Sequence, residues 1–396
     1  MTYRVLKPAV SAAAFAALSL VALSLAACQD SGLSHRSLAP IPRETLALME
    51  KVGASKESPM LIRAYKKEAE LEIWKMGADG KYVHLKTYPM CRWSGQLGPK
   101  TREGDRQVPE GFYSISPAQM NPNSSYYLSF NVGYPNQLDR ALGHTGGTIM
   151  VHGACSSAGC FSMTDAQIAE IYAVARSSFE GGQRSIQMQS FPFRMTADNL
   201  AKHRLDPNIG FWKNLKEGSD HFEVTKEEPQ VAFCGRRYVF NAESDGHLDP
   251  LSACPPLRQD PEIVASVSAK AAKDEAKIAE LSQEVKPVRV VYQDGGMHPS
   301  FLSKVAETSR PEAVAPPEEI ALEDKAARGG KPAPLAAKSP VVTMAAAKAA
   351  TPARPAETTS VARALSTDTR RDMSALAATA DDGPTSSIKR ALKLKK

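Results

Sequence analysis

The spacing of apolar and polar positions changes character near Pro59. Met60 to Tyr65, Glu70 to Trp74 and Lys81 to Lys86 are short runs of β-forming residues, and the last two alternate apolar and polar side chains. Gly77, Asp79 and Gly80 lie between the second and third runs, so the pattern predicts an antiparallel meander. Phe112 to Ile115, Tyr126 to Phe130, Thr148 to Val151, Ser185 to Gln189 and Phe191 to Met195 are further strand candidates. One helix is well marked. Thr164 caps it with Gln167 at the reciprocal position, Ile168, Ile171, Tyr172, Ala175 and Phe179 recur at helical spacing, and Gly181-Gly182 ends it. Those apolar residues read as its core face. The expected fold is mainly β with α.

The flanks carry different patterns. Arg4 and Lys7 precede an apolar run from Ala9 to about Leu25, which reads as an export signal. It ends in Leu25-Ala26-Ala27-Cys28, which resembles the bacterial lipobox, in which the Cys28 thiol would take the lipid. The alternative is an ordinary signal cut near Ala27. Gln29 rather than Asp follows Cys28, which favours outer-membrane anchoring on the periplasmic side. Gln29 to about Ser58 is polar, with a short helical stretch from Glu44 to Lys51, and reads as a tether. Asp260 to about Val285 has the composition of a solvated helix. From about Thr308 the chain is Ala, Pro, Lys, Thr and Ser with almost no aromatics, and predicts disorder. Its basic end, Ile388 to Lys396, reads as a solvated tail or as a contact for anionic envelope polymers. The expected order is signal 1–27, tether 28–58, a β-rich globular domain 59–196, extension 197–256, helical linker 257–307 and tail 308–396.

Composition adds little against this. The 396 residues carry a net charge of +6, too mild and too dispersed for a nucleic-acid-binding module, and an exported chain seldom meets nucleic acid. Six cysteines in an oxidising compartment need an account. Cys234 and Cys254 bracket a short polar loop and are expected to pair. Cys91 with Cys155 is a second pairing that the spacing does not support, and Cys155 with Cys160 is another. The connectivity stays open at this level.

The chemistry concentrates between Thr148 and Asp165. A strand delivers His152 at its end, a loop of small residues follows, and Cys160 precedes the helix eight residues after His152. A free thiol with a pKa of roughly 8.5 is only slightly ionised at neutral pH, so a nucleophilic Cys needs a base in reach. A folded-back loop of this length can bring imidazole and sulfur together. Gly159 permits close backbone approach, and the amides of Gly159 and Cys160 are candidate oxyanion donors. His144, His152, Cys155 and Cys160 can alternatively be read as zinc ligands, but the strand-to-loop arrangement accounts for them without a metal.

His152-Gly153 followed by Ser157-Ala158-Gly159-Cys160 and Met163-Thr164-Asp165 resembles the signature of the L,D-transpeptidase (YkuD-type) catalytic domain, in its YafK-like branch. Tyr88 to Gly95, Gly98-Pro99-Lys100, Glu103-Gly104-Asp105, Pro109 to Tyr113 and Asn131 to Asn136 resemble segments of that branch in the same order. The likeness runs from about Met60 to Met195, and on toward Cys254. It implies a β-sandwich-like domain and attack on the diaminopimelate carbonyl of a peptidoglycan tetrapeptide stem, with D-Ala leaving. Cys160 is then the nucleophile, His152 the base, and Gly153, Ser157 and Gly159 shape the loop, with no metal or cofactor. An amine acceptor gives a cross-link or attaches an envelope protein, and water gives hydrolysis. Tyr134, Arg92, Lys100 and Arg194 are candidate substrate contacts. Two departures stand out. Many members carry His where this chain has Ala158, and Arg or Asn where it has Ser162, so the fate of the acyl-enzyme is open between amine and water.

Overall fold

The computed structural model describes residues 35–304 and 315–323. The proposed signal, Cys28 and almost all of the proposed disordered tail lie outside the described residues. Among the described residues a 3-10 turn (His35–Leu38) precedes helix α1 (Arg43–Lys51), which runs into β1 (Met60–Tyr65), β2 (Glu70–Met76), β3 (Tyr82–Pro89) and β4 (Gly111–Ile115). β5 (Met120–Asn121), β6 (Ser129–Asn131), α2 (Gln137–Ala141), β7 (Met150–His152) and β8 (Phe161–Ser162) follow. Then come α3 (Asp165–Glu180), β9 (Ile186–Phe191), α4 (Ala197–Lys202), α5 (Ile209–Thr225), β10 (Val231–Cys234) and β11 (Arg237–Phe240). α6 (Pro261–Glu284), β12 (Val288–Val291) and β13 (Glu318–Ala321) complete the order. The architecture is mixed α and β, with four sheets among the described residues.

The larger sheet has strand order β3-β2-β1-β9-β4. The expected meander is its first half: β1 pairs antiparallel with β2, and β2 with β3. β9 then adds parallel to β1 and antiparallel to β4. β1 shows no alternation because every position on it is buried, as expected of a strand covered on both faces. The same burial hid the extent of β9. Two strands were expected over Ser185–Gln189 and Phe191–Met195, and one strand, Ile186–Phe191, is found. Both its faces are buried, so the apolar run gives no sign of its end. Pro192, which has no N–H to donate, lies just past it, and Thr196 caps α4 through the Asn199 amide.

The smaller sheet, β5-β6-β7-β8, ends β7 at His152 and begins β8 directly after Cys160. Its inner residues Phe130, Val151 and Phe161 share one core with Ile62, Ile73 and Met188 of the larger sheet. α3 lies against this core as its pattern predicted. Thr164 and Gln167 form the capping box, Ile168, Ile171, Tyr172 and Ala175 are buried, and Gly181 is the C-cap. The stretch before β1 also joins the core. Ile41 and Met49 are buried, the Thr45 hydroxyl bonds Glu170, and Arg176 donates to the Ala39 carbonyl at 3.0 Å. α6 packs against α5 through Lys216, which reaches Asp274 at 2.7 Å, and Lys270, which reaches Asp220 at 2.8 Å. Val267 is its one buried residue, so it is a largely solvated helix. Among the described residues two disulfides form, Cys234–Cys254 as expected and Cys91–Cys155, which spacing alone did not support. No helix among the described residues is long and apolar enough to cross a membrane.

Candidate active site

β7 and β8 run parallel, with Val151 opposite Phe161 and His152 opposite Ser162. Side chains alternate along a strand, so Met150 and His152 share a sheet face with Cys160 and Ser162. This register explains how eight residues of chain bring thiol and imidazole to one place: Cys160 enters β8 one step ahead, beside Met150. The Met150 N–H donates to Cys160 Sγ at 3.4 Å, and the thiol donates to the Thr148 carbonyl at 3.9 Å. Cys160 is the free cysteine among the described residues.

The intervening loop is tied at several points. Cys155 is bonded to Cys91, and the Ala154 N–H donates to Asp165 Oδ1 at 2.8 Å, fastening the loop to the start of α3. Ala154 and Cys155 both take positive φ, 64° and 44°, which non-glycine residues adopt only when their surroundings impose it. Gly159 has φ +126°, closed to an L side chain without strain. Ser157 Oγ donates to the Cys160 carbonyl at 2.7 Å and accepts from the amides of Cys160 (3.1 Å) and Gly159 (3.4 Å). The two amides expected to face an oxyanion are therefore turned inward, and Ser157 Oγ must release them before they can serve one.

His152 is 4% exposed, and Tyr126 covers it with ring centroids 4.7 Å apart. Its Nδ1 stands 2.6 Å from the Gly153 carbonyl, a contact that requires N–H at Nδ1 and leaves Nε2 as the basic nitrogen. Nε2 lies 3.3 Å from Ser162 Oγ. The Ser162 hydroxyl proton is directed to the Ser156 carbonyl, so Ser162 presents a lone pair to Nε2. A neutral His152 thus receives no proton at Nε2, whereas an imidazolium finds an acceptor on each side, Gly153 and Ser162.

Burial opposes charge on both partners. It pushes the Cys160 thiol above its ordinary value, against the Met150 amide and the positive charge of Lys100, which pull it down. It pushes the His152 imidazole below its ordinary value, against the Gly153 carbonyl. Both shifts favour the uncharged thiol and the uncharged imidazole. The two side chains make no direct hydrogen bond with each other, which is common before substrate aligns a catalytic pair.

Both open into a cleft of about 590 Å³ also lined by Arg92, Arg106, Tyr126, Thr148, Ala158 and Asp294. Of the expected substrate contacts, only Arg92 reaches it. Arg92 is 2% exposed and donates to the Trp93 carbonyl at 2.9 Å and the Gly296 carbonyl at 3.3 Å, so it builds the wall. Arg194 is elsewhere, paired with Glu70 at 2.5 Å and Glu72 at 2.8 Å over the ring of Tyr65. Tyr134 is packed in the core with its hydroxyl on the Lys100 carbonyl at 3.2 Å. Lys100 itself is buried against Asp105 at 2.5 Å. These three are not cleft residues, because each charge or hydroxyl is satisfied by its own neighbours. His144 bonds Asp139 at 3.2 Å in a different cavity, and Cys155 is in a disulfide, so the four residues of the zinc reading do not converge. Arg106 and Asp294 were missed by the sequence reading.

The L,D-transpeptidase catalytic domain (YkuD) model matches residues 63–181, which hold both His152 and Cys160. The chain is also 43% identical, over 183 residues, to a curated member of that group, covering 46% of this chain and 74% of the relative. It belongs to the L,D-transpeptidase (YkuD) family. The relative is the Escherichia coli K12 protein called "Putative L,D-transpeptidase YafK", and its Escherichia coli O157:H7 counterpart gives the same figures. Among solved structures, the helical cell shape determining protein Pgp2 of Campylobacter jejuni aligns over 62% of this chain and 80% of its own, with 16% identity and a TM-score of 0.28. That likeness is too loose to argue from.

Proposed function

We propose that the protein is a cysteine L,D-transpeptidase acting on peptidoglycan stem peptides, with Cys160 as nucleophile and His152 as base. The observation that carries this is the shared cleft. A free thiol and an imidazole lie on one sheet face, and both imidazole nitrogens meet acceptors once the ring is protonated. Substrate enters beside Cys160, and the thiol turns from the Thr148 carbonyl. Its proton passes to His152 Nε2 as Sγ bonds the diaminopimelate carbonyl carbon. The C–N bond to D-Ala then breaks, the departing amine takes the proton back from Nε2, and a thioester remains on Cys160. An acceptor amine resolves the thioester by the same steps in reverse, giving a cross-link or a wall-attached envelope protein. No metal or organic cofactor enters this sequence. Tetrapeptide muropeptides incubated with the protein should lose D-Ala and give dimers by mass spectrometry; intact substrate after prolonged incubation would reject the reading.

Hydrolysis is the second reading, favoured by Ala158. This residue is exposed on the cleft rim, at the place where many members carry His, and its methyl leaves the sulfur open to water. Transpeptidation stays ahead on the family's chemistry. Reaction in ¹⁸O-water with excess amine separates the two: label in the product carboxylate at every acceptor concentration means water, and unlabelled cross-linked product rising with acceptor means transfer. A peptidoglycan substrate makes this an envelope protein. Lipid anchoring through Cys28, facing the periplasm from the outer membrane, completes the proposal, and labelled palmitate should enter the wild type but not Cys28→Ser.

A further inference from the structure

The cleft has a second wall that the matched residues 63–181 do not supply. After β12 the chain crosses Trp93 and returns along it. The Tyr292 ring lies 4.8 Å from that of Trp93, and Tyr292 N–H donates to Gln96 Oε1 at 2.8 Å. Trp93 and Gly296 exchange backbone hydrogen bonds of 2.9 and 3.1 Å. Gly295, at φ +74°, makes the turn, and a Cβ there would stand 2.0 Å from the Trp93 carbonyl oxygen. Asp294 is thereby held at the cleft, where it meets two arginines.

Those arginines differ. Arg92 is buried and directed at backbone carbonyls. Arg106 is 47% exposed. It grips Asp294 from one edge, Nε to Oδ1 at 3.3 Å and Nη2 to Oδ2 at 2.5 Å, and Nη2 also donates to the Ser157 carbonyl at 3.3 Å. Its Nη1 has no protein acceptor among the described residues. Two guanidinium groups against one carboxylate leave the cleft with an excess positive charge while His152 is neutral. The excess sits where Arg106 is open to solvent and touches the loop carrying Cys160.

We infer that Arg106, oriented by Asp294, is the specificity-determining residue of the cleft and binds a carboxylate of the peptide acyl donor. Nη1, and the Nη2 edge on exchange with Asp294, present the planar fork that matches a carboxylate. Arg106 is 47% exposed, so an incoming carboxylate reaches Nη1 from solvent before any contact with Asp294 has to open. Asp294 works in two directions: it aims the guanidinium, and it competes with the incoming anion. The inference rests on the acyl-transfer reading for the identity of the peptide, and its test is kept apart from turnover.

The stem tetrapeptide offers two sources of this chemistry, the C-terminal carboxylate of D-Ala and the side-chain carboxylate of diaminopimelate. Binding to full-length Cys160→Ala protein, measured by calorimetry, is compared for the free tetrapeptide and for two forms amidated at one carboxylate each. One amide should bind about 10- to 100-fold more weakly, as expected for loss of a charge-assisted bidentate contact. That amide identifies the carboxylate. Adding Arg106→Gln should bring the ratio close to one, and Arg106→Lys should keep part of it. Asp294→Asn keeps an oxygen that can accept from Arg106 Nε and so aim it, while removing the competing charge, and should raise the ratio. Equal binding of all three peptides, or a preference that survives Arg106→Gln, overturns the inference. A fall in the ratio with Asp294→Asn overturns the role given to Asp294. A wild-type protein that shows the Arg106-dependent preference yet never releases D-Ala overturns acyl transfer and leaves the carboxylate site standing.

Discussion

His152 and His203 are alike by the usual signs of a functional histidine. Each is nearly closed to solvent, each lies against an aromatic ring, and burial pushes each imidazole below its ordinary value. Their surroundings differ. His203 is stacked on Phe193 at 4.8 Å and edge-on to Trp212 at 5.9 Å, and it does not line the cleft that holds Cys160. His152 borders a cleft, shares a sheet face with a free thiol, and has an oxygen opposite each ring nitrogen. A depressed pKa therefore reports burial at both, and only at His152 do the surroundings support the proposed chemistry. What separates them is access and a place for the second proton.

The contrast breaks most sharply at the thiol. Cys160→Ala should abolish release of D-Ala while leaving the circular dichroism spectrum unchanged. Residual turnover above the uncatalysed rate would move the nucleophile elsewhere. Removing the two imidazoles should then have unequal results. His152→Ala should slow acylation by about 10²- to 10⁴-fold, the range for a lost general base. His203→Phe, which keeps the aromatic stack, should leave that rate within about twofold of wild type, since nothing at His203 reaches the cleft. Equal losses from both would mean that His152 is structural.

The next effect is read in stability and concerns His203. Burial, with Lys67 and Lys202 nearby, holds its pKa down to about 4, against an ordinary 6.5. Above pH 6.5 both folded and unfolded chains carry it neutral. As the pH falls from 6.5 to about 4, the unfolded chain takes a proton that the folded one refuses, so stability declines across that window and levels off below it. The shift corresponds to about 3 kcal/mol. Urea unfolding at pH 7 and pH 4.5 should show a smaller loss for His203→Phe than for wild type. An identical loss would assign the acid sensitivity to other groups.

How much of this was legible in the chain depends on how local each feature is. His152, Cys160 and the cap of α3, Thr164, fall within thirteen consecutive residues, and one strand–loop–helix reading finds them all. The meander was legible because β2 and β3 alternate. The limits of β9 were not, because burial on both faces erases the alternation. Arg106 and Asp294 stand 188 residues apart, and no periodicity links them. Arg194, Lys100 and Tyr134 were assigned by residue type, which gives a side chain's charge but not its direction. Ser162 was noticed only as a departure from the family pattern.

Ser162 gives the smallest effect and the finest test of what distinguishes the two histidines. Its side chain is fully buried, its hydroxyl proton goes to the Ser156 carbonyl, and its remaining lone pair faces His152 Nε2 at 3.3 Å. In the proposed reaction it contacts neither the substrate nor Sγ and acts on the base, by accepting from Nε2 once the ring has taken the Cys160 proton. Ser162→Ala removes that acceptor and should slow acylation about tenfold, which is roughly 1.4 kcal/mol and within the range for one hydrogen bond to a charged group. KM should change little, because the lost bond exists only when the ring is charged. The acid limb of the rate profile should move to lower pH, since a ring without its acceptor holds a proton less well. Ser162→Thr, which restores the hydroxyl, should return the limb toward its wild-type position even if the added methyl costs stability. A merely structural role predicts another pattern: a lower melting temperature, an unmoved acid limb, and no advantage of Thr over Ala. That pattern would remove Ser162 from the proton path and leave Gly153 as the only acceptor that sets the ring.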